Sequence, residues 1–398
     1  MNLEQIYYAQ WLSSTYELSD KAIRIIAERV PDPWELFRIS KEELEIFLPA
    51  QYAQVLSDKL REIQRSTSDF VGFLQREYEK LENRGIHFVM CGQPGYPSRL
   101  TKIPDPPFGL YYAGKLPPDG TLSVAIIGSR ECSEYGRHVA ETLGRFLGER
   151  GVSVVSGMAR GVDGISQQAA LLAGGKSYGV LGCGVDVCYP KSNQKLYQIL
   201  TRQGGILSKY PPGTPPLASN FPARNRIVSG LVNAVVVVEA ALKSGTSITV
   251  SMALDQGRDV YVVPGRVTDR LSDGCNQMIK QGAGVYTDPE SFLEEIQQTF
   301  FLQSMRPTAS PRPIFARTTE TSGVNADEEA TIGAAEPYGL SERLKIIWRA
   351  LDHTPKSVEE IQRDLSEPLP VQECTIRLME LVLMGKAKQV STGQFVRH

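Results

Sequence analysis

Histidine is almost absent from this 398-residue chain. His87, His138, His353 and His398 are scattered, and none falls at a spacing that makes a metal pair or a triad with serine and an acid. Cysteine is sparse as well. The six thiols, at positions 91, 132, 183, 188, 275 and 374, form no CxxC pair and no regular framework, which points to reduced cysteines and argues against structural zinc. No apolar run approaches the roughly 18 residues that a bilayer-crossing helix needs, so no membrane association is expected. The start, Met1-Asn2-Leu3-Glu4, shows no basic stretch followed by an apolar one, and the expected location is cytoplasmic. A GxxxxGK[ST] loop is missing, which argues against a P-loop NTPase, and no GxGxxG follows the first strand to support a dinucleotide. No metal, no cofactor and no catalytic residue is expected.

What is present is a globular composition, with 41% hydrophobic and 22% charged residues, in a chain long enough for two or three domains. The net charge of −2 hides an uneven distribution. Residues 1–75 hold eight Lys/Arg against twelve Asp/Glu, whereas residues 80–300 hold 22 against 18. The acidic first stretch has helical periodicity, with Ser40 followed by Glu43 in the form of a capping box, and reads as a small all-helical domain of the SAM-like or helix-hairpin type. Its charge favours a scaffold or protein-contact role over direct DNA contact.

Between about 80 and 300, apolar runs at Val124–Ile127, Val152–Val155, Tyr178–Leu181, Ala234–Val238 and Val260–Val263 alternate with helical stretches at Gly136–Arg150, Ile165–Ala173 and Ile248–Gln256. Strands apolar on both faces belong in a parallel sheet covered by helices, so the expected fold class is α/β, an extended Rossmann-like doubly wound parallel sheet. Residues 302–337, rich in Pro, Thr, Ser, Ala and Glu, read as a flexible linker. Three amphipathic helices at Ser341–Leu351, Ser357–Leu365 and Val371–Met384, then a hairpin over Ala387–Val396 turning at Thr392-Gly393, give residues 338–398 a winged-helix-like outline. That segment carries nine Lys/Arg against eight Asp/Glu, with Arg377 the one basic residue of its third helix; major-groove reading and protein contact are both open.

The chemistry concentrates in glycine-rich turns at the ends of the strands. They contain Gly128-Ser129-Arg130; Ser156, Gly157, Ala159, Arg160 and Gly161; Gly182 and Gly184; Lys191 and Asn193; Arg224-Asn225-Arg226; and Lys243-Ser244-Gly245-Thr246. Backbone N–H groups and helix N-termini gathered along one sheet edge bind anions, and the cations in these turns suggest phosphate. Ser133 is placed to cap the helix beginning near Tyr135. The competing reading for Arg130 is an ion pair with Glu131 or Glu134. Asp163, near a helix start, reads as structural. Asp186 and Tyr189-Pro190-Lys191 add a carboxylate, a ring and a cation, and Tyr189 with Phe221 are the base-stacking candidates of a single-strand site, although a lone tyrosine is more often a core ring. Two arginines around Asn225 are an odd choice for a buried face, and Glu239 is expected to be a buried partner of one of them.

At these residues the sequence resembles the DNA-processing protein A family, DprA or Smf. The resemblance is carried by Gly128-Ser129-Arg130, SGMARGVD at 156–163, FPARNRIVSG at 221–230, VEAALKSGT at 238–246, GRDVYVVPG at 257–265 and GCNQMIKQGA at 274–283. It implies a protein that binds single-stranded DNA, protects it, dimerises, and loads the RecA recombinase onto incoming strands during natural transformation, with a single-strand-binding protein as a further candidate partner. It also implies that Arg130 and Lys191 bind phosphate; a dimer surface is placed around Gly274–Gly284. Valine at 162 and threonine at 246 depart from residues common in the family without affecting the motif.

Two other readings compete. A nucleotide-processing enzyme of the Rossmann-like phosphoribohydrolase (lysine-decarboxylase-like) group shares the Gly/Ser/Arg turn and a nearby glutamate, but needs a PGGxGTxxE segment. Its nearest approach here, Pro264-Gly265-Arg266-Val267, lacks the second glycine, the threonine and the acid. An adaptor using only its terminal domains leaves the arginine-bearing turns unexplained.

Overall fold

Small polar residues set the helix starts at the N-terminus. In the computed structural model, which describes residues 2–304, 342–351, 356–365, 369, 371–383, 387–391 and 394–397, six helices open the chain. They are α1 (Leu3–Ser14), α2 (Asp20–Arg29), α3 (Pro33–Arg38), α4 (Lys41–Glu45), α5 (Ala50–Ser66) and α6 (Phe70–Glu82). The capping box expected at Ser40 forms: its hydroxyl accepts from Glu43 N at 3.2 Å and its N–H donates to Glu43 Oε2 at 2.8 Å. The helical region runs beyond residue 75, because α6 packs along α1 before the first strand.

The α/β region then reads β1 (His87–Met90), β2 (Gly109–Gly114), β3 (Ser123–Ile127), α7 (Glu134–Glu149), β4 (Ser153–Ser156), α8 (Val162–Leu172), β5 (Ser177–Val180), α9 (Gln194–Gln203), β6 (Gly205–Ser208), α10 (Asn220–Gly230), β7 (Ala234–Val237), α11 (Gly245–Asp255), β8 (Asp259–Val262), α12 (Arg270–Lys280), β9 (Gly284–Val285) and α13 (Pro289–Ser304). Its nine strands form one sheet in the order β1-β2-β6-β5-β4-β3-β7-β8-β9. β2 runs antiparallel to both β1 and β6, and every other neighbouring pair is parallel.

Strand residues alternate between two apolar layers. Val124 and Ile126 of β3 join Leu143 and Leu147 of α7 and Phe292 of α13, while Ala125 and Ile127 join Ile227 of α10, Val250 of α11 and Cys275 of α12. A mixed α/β fold with a large, mostly parallel sheet is therefore present; β1, β2, β6 and β9 lie outside the apolar runs expected as strands, and the antiparallel pairings of β2 depart from the expected parallel sheet. From β3 the chain proceeds outward through β4, β5 and β6 on one side, and returns to β7 on the other. The crevice at the carboxyl ends of β3 and β7 is the topological switch point, where open α/β sheets receive ligands.

The N-terminal helices do not stand apart from this sheet. Tyr8 and Leu12 share a core with Phe88, Phe108, Tyr111 and Ile206, and the Tyr111 hydroxyl donates to Gln10 O at 3.1 Å. Asp20, 7% exposed, accepts from Phe108 N at 3.0 Å and pairs with Arg226 at 3.1 Å and with Lys209.

The chain divides into two units, Met1–Thr319 and Glu320–His398. In the second, α14 (Glu342–Ala350), α15 (Val358–Asp364) and α16 (Val371–Leu383) accompany a three-stranded antiparallel sheet in the order β10-β12-β11, made of Lys356–Ser357, Gln394–Arg397 and Ala387–Ser391. Ile347, Trp348, Ile361, Leu378 and Phe395 form its core. Arg377 pairs with Glu373 one turn earlier on α16. Of the expected linker, Leu302–Ser304 belong to α13, and the rest, like the turn Thr392-Gly393, lies outside the described residues. Among the described residues no helix is long and apolar enough to cross a membrane, and no group of His, Cys, Asp or Glu could hold a metal ion.

A variant beginning at residue 84 tests how far the helices belong to the sheet. It bares Phe88, Phe108 and Tyr111, each worth about 1.5–3 kcal/mol of burial. The expected outcome is 8-anilinonaphthalene-1-sulfonate binding and a lower urea midpoint than the intact protein. Equal midpoints would make the helices a separate attachment.

Candidate functional site

The turn after β3 is held by β7. Ser133 caps α7, its hydroxyl accepting from Gly136 N at 3.1 Å. Glu239, which follows β7, accepts from Ser133 N–H at 2.9 Å and from the Ser133 hydroxyl. The expected pairing of Glu239 with Arg224 or Arg226 is therefore corrected: the carboxylate spans the switch point instead, and both its oxygens are engaged. Gly128-Ser129-Arg130 is thereby fixed above the sheet, and Val162 N–H donates to Ser129 O at 3.2 Å, tying the first turn to the second.

The second turn is organised around a buried cation. Arg224, 5% exposed, donates through Nη1 to Gly157 O at 2.7 Å and to Val180 O, and through Nε to Asn225 Oδ1 at 3.1 Å. Burial lowers its pKa, opposed by Asp163. Asp163 accepts from Gly157 N at 3.0 Å. Burial pushes its carboxyl up from the usual carboxylate range, against the pull of Arg224 and of hydrogen bonds from the Ala159 and Gly157 N–H groups. Asn193 Nδ2 donates to Met158 O and Ala159 O, both at 3.0 Å. Two glycines are required here. A Cβ on Gly157 would lie 2.6 Å from Arg224 Nη2, and Gly161, at φ +72°, would bring one within 2.3 Å of Ser129 O.

Above this frame the exposed groups converge. A groove of about 480 Å³ runs from Gly128-Ser129-Arg130 past Phe221 and Asn225 to Ser244-Gly245-Thr246, and a smaller recess beside it is lined by Arg160, Gly182, Tyr189 and Phe221. Arg130 and Arg160 are exposed, and among the described residues neither makes an ion pair; Glu134 instead pairs with Arg137. Phe221 lies 5.6 Å from Tyr189 between ring centroids, with the guanidinium carbons of Arg130 and Arg224 at 5.9 and 5.7 Å from its own. Tyr189 is 41% exposed, so it is not the core ring that its residue type suggests. Gly182 backs Phe221, where a Cβ would stand 3.1 Å from the ring. Lys191 and Lys243 are exposed next to Pro190 and Ser244, residues that line the two cavities.

Several expected contact residues turn out to support the site from beneath. Ser156 is fully buried and donates to Ile126 O at 2.7 Å. Gly184 faces inward, its N–H donating to Thr214 O at 2.9 Å. Asn193 and Arg224 are spent on the second turn. Arg226 points away from the groove, because its guanidinium is taken by Asp20, by Asp105 at 3.7 Å and by the Asp105 carbonyl. Asp186 pairs with Arg84 at 2.5 Å and accepts from Gly213 N at 2.7 Å, so it is no free acid of the site. Asp20 was not singled out in the sequence. Its only local sign is a position one residue after the capping serine of α2, where carboxylates are common, and its partners lie far away in the chain.

The fold and the site define an α/β protein whose sheet edge presents cations, rings and open backbone turns to solvent. The chain belongs to the DNA recombination-mediator protein A family, whose model matches residues 87–297. Among similar proteins, protein Smf of Escherichia coli is 41% identical over 60% of this chain, and the match spans 64% of that protein's length. Protein Smf of Synechocystis is 29% identical over 98% of this chain and 97% of its own. The X-ray structure of DNA processing protein A from Streptococcus pneumoniae superposes with a TM-score of 0.62 at 32% identity, covering 74% of this chain and 98% of that one.

Gly157→Ala tests the frame directly. The added methyl displaces the Arg224 guanidinium from its carbonyl partners, and the expected loss is about 1–3 kcal/mol, as for other overpacked interiors. Urea denaturation measures it; an unchanged midpoint would show that Arg224 is free to move.

Proposed function

We propose that this protein binds single-stranded DNA along the carboxyl edge of its sheet and acts, without catalysis, as a recombination mediator that protects the strand and loads a RecA recombinase onto it during natural transformation. The observation that carries the reading is the convergence of two exposed arginines without ion pairs, Arg130 and Arg160, on the pair formed by exposed Tyr189 and half-buried Phe221. Cations track the phosphate backbone while rings receive bases of any sequence, since every base has a π-face. Gly128, Ser129, Gly161, Asn225, Lys191, Lys243, Ser244, Gly245 and Thr246 are the further phosphate contacts, supplied in the glycine turns by backbone N–H groups, while Ala159, whose N–H goes to Asp163, supports the second turn. Relatives named DNA processing protein A or Smf support the nucleic-acid assignment.

The phosphoribohydrolase alternative needs a glutamate available to a nucleotide. Glu239 is committed to Ser133 through both oxygens, which favours binding without turnover. The second unit fits a winged helix, and with Arg377 paired to Glu373 it is read as a protein-contact module. Homodimerisation is assigned to the late part of the sheet around Gly274–Gly284, near the exposed Val267 and Val285. The protein is read as cytoplasmic, and a single-strand-binding protein as a further partner.

Fluorescence anisotropy with labelled oligo-dT and its duplex, across a salt series, tests the reading. Preference for the single strand is expected, with a log–log salt slope of about −0.7 per phosphate contacted. Arg130→Ala should reduce both affinity and the magnitude of that slope. Tyr189→Ala should weaken binding by about 1–3 kcal/mol and leave the slope unchanged. Negligible binding alongside saturable AMP binding would transfer the site to the nucleotide enzyme.

A further inference from the structure

Helix α10 carries groove residues on one side and a buried ion pair on the other. Successive helical residues are separated by about 100°, so Arg224 and Arg226 point to nearly opposite sides. Arg224 reaches Gly157 O and Val180 O beneath the groove. Arg226 reaches Asp20 Oδ2 at 3.1 Å on the N-terminal helix α2. Asp20 is almost completely buried, and its other contacts, Phe108 N–H at 3.0 Å and Lys209 Nζ, fix it to the loops before β2 and after β6. Further along, Gln256 Nε2 donates to Arg226 O at 3.0 Å, and Arg99 and Arg258 hold the carbonyls of Leu231 and Gly230 at 3.4 and 2.9 Å. The helix is thus pinned along its length. Its first turn, with Phe221, is where the groove is built.

We infer that Asp20 is a positioning residue of the groove: the N-terminal helices, through the Asp20–Arg226 pair, set the placement of α10 and so the affinity for the strand, without touching it. The inference rests on the groove being the single-strand site. It gives the acidic helical region a role compatible with its charge, since a negatively charged module acts on DNA binding from behind the site. A buried pair of this kind has a discrete geometry, and losing either partner leaves the other with one remaining counter-charge, Lys209 for Asp20 or the exposed Asp105 for Arg226, which holds it from a different direction.

The test uses full-length protein with Asp20→Asn, Arg226→Gln and the double variant, each assayed where near-ultraviolet circular dichroism shows it folded. Glu17→Gln, which removes the exposed partner of Lys59, is the control on the same module. Asp20→Asn and Arg226→Gln should each weaken oligo-dT binding by about tenfold, an ordinary size for coupling between sites. The double variant should be no weaker than either single one, Asp20→Glu should restore part of the affinity, and the control should bind as wild type. The salt slope should not change, because no phosphate contact is lost.

Two results would overturn the inference. If Arg226 were itself a phosphate ligand, Asp20→Asn would free it and tighten binding, and Arg226→Gln would lower the slope by about 0.7. If the pair were purely structural, the variants would melt earlier yet bind DNA as wild type. Hydrogen exchange decides the coupling independently of DNA: amides over 220–226 should exchange faster in folded Asp20→Asn, and unchanged exchange refutes the coupling. Absence of binding by the wild-type protein would refute the function of the groove, leaving exchange to judge α10.

Discussion

The buried guanidinium of Arg224 is the interaction on which the carboxyl edge depends. A cation in an apolar setting is tolerated only when its donors and its charge are both answered. Here the donors go to the carbonyls of Gly157 and Val180 and to the Asn225 side chain, while Asp163 supplies the compensating charge and holds the Gly157 N–H. These contacts join the ends of β4 and β5, the start of α8 and the first turns of α10. Side chains elsewhere along the edge inherit their positions from this arrangement. Phe221, one turn before Arg224, stands over Gly182, and Tyr189 closes on its other side.

A division among the arginines follows from the same requirement. Three that face the interior are matched: Arg224 by carbonyls and Asp163, Arg226 by Asp20 and Asp105, Arg99 by Ser123 and the carbonyls of Thr121 and Leu231. Those that face the groove, Arg130 and Arg160, have no anionic partner among the described residues. Guanidinium is suited to both duties, because its planar fork can satisfy several fixed acceptors inside or grip a phosphate outside. Leaving Arg130 and Arg160 unmatched while Glu134 and Asp186 are engaged elsewhere favours a local positive field at the groove, with Glu131 the exposed acid on its rim, even in a chain whose net charge is −2. Glu134 with Arg137, and Asp186 with Arg84 and Gly213, show those acids engaged.

The sheet, the glycine turns and the caps were legible in the sequence because each is set by local rules: apolar runs, conformational freedom and side-chain hydrogen bonds to the next turn. Ser40 and Ser133 cap as expected, and Tyr189 meets Phe221. The sense in which a side chain points was legible only where periodicity decides it. Arg224 and Arg226 look alike in FPARNRIVSG, yet their environments are set by Gly157, Val180, Asp20 and Asp105, which lie far away in the chain. Glu239 was misplaced for the same reason: its partner, Ser133, comes to it only through the parallel pairing of β3 with β7. Gly184 and Ser156 carried the residue types of an anion turn but serve the backbone beneath it.

That last distinction bears on the proposed binding without turnover. At a switch point, a carboxylate between two strand ends is well placed to act as an acid or base, provided that one of its oxygens is open to a substrate. Glu239 instead accepts both the N–H and the hydroxyl of Ser133, and Ser133 in turn accepts from Gly136. The chain of donors ends in the start of α7, so the carboxylate's work is to lock the Gly128-Ser129-Arg130 turn in place. What remains toward solvent, beside the exposed carboxylate of Glu131 on the groove's rim, is a set of donors, cations and rings. On the proposed function, such a surface gains affinity from phosphate neutralisation and stacking, both of which are reversible and indifferent to sequence.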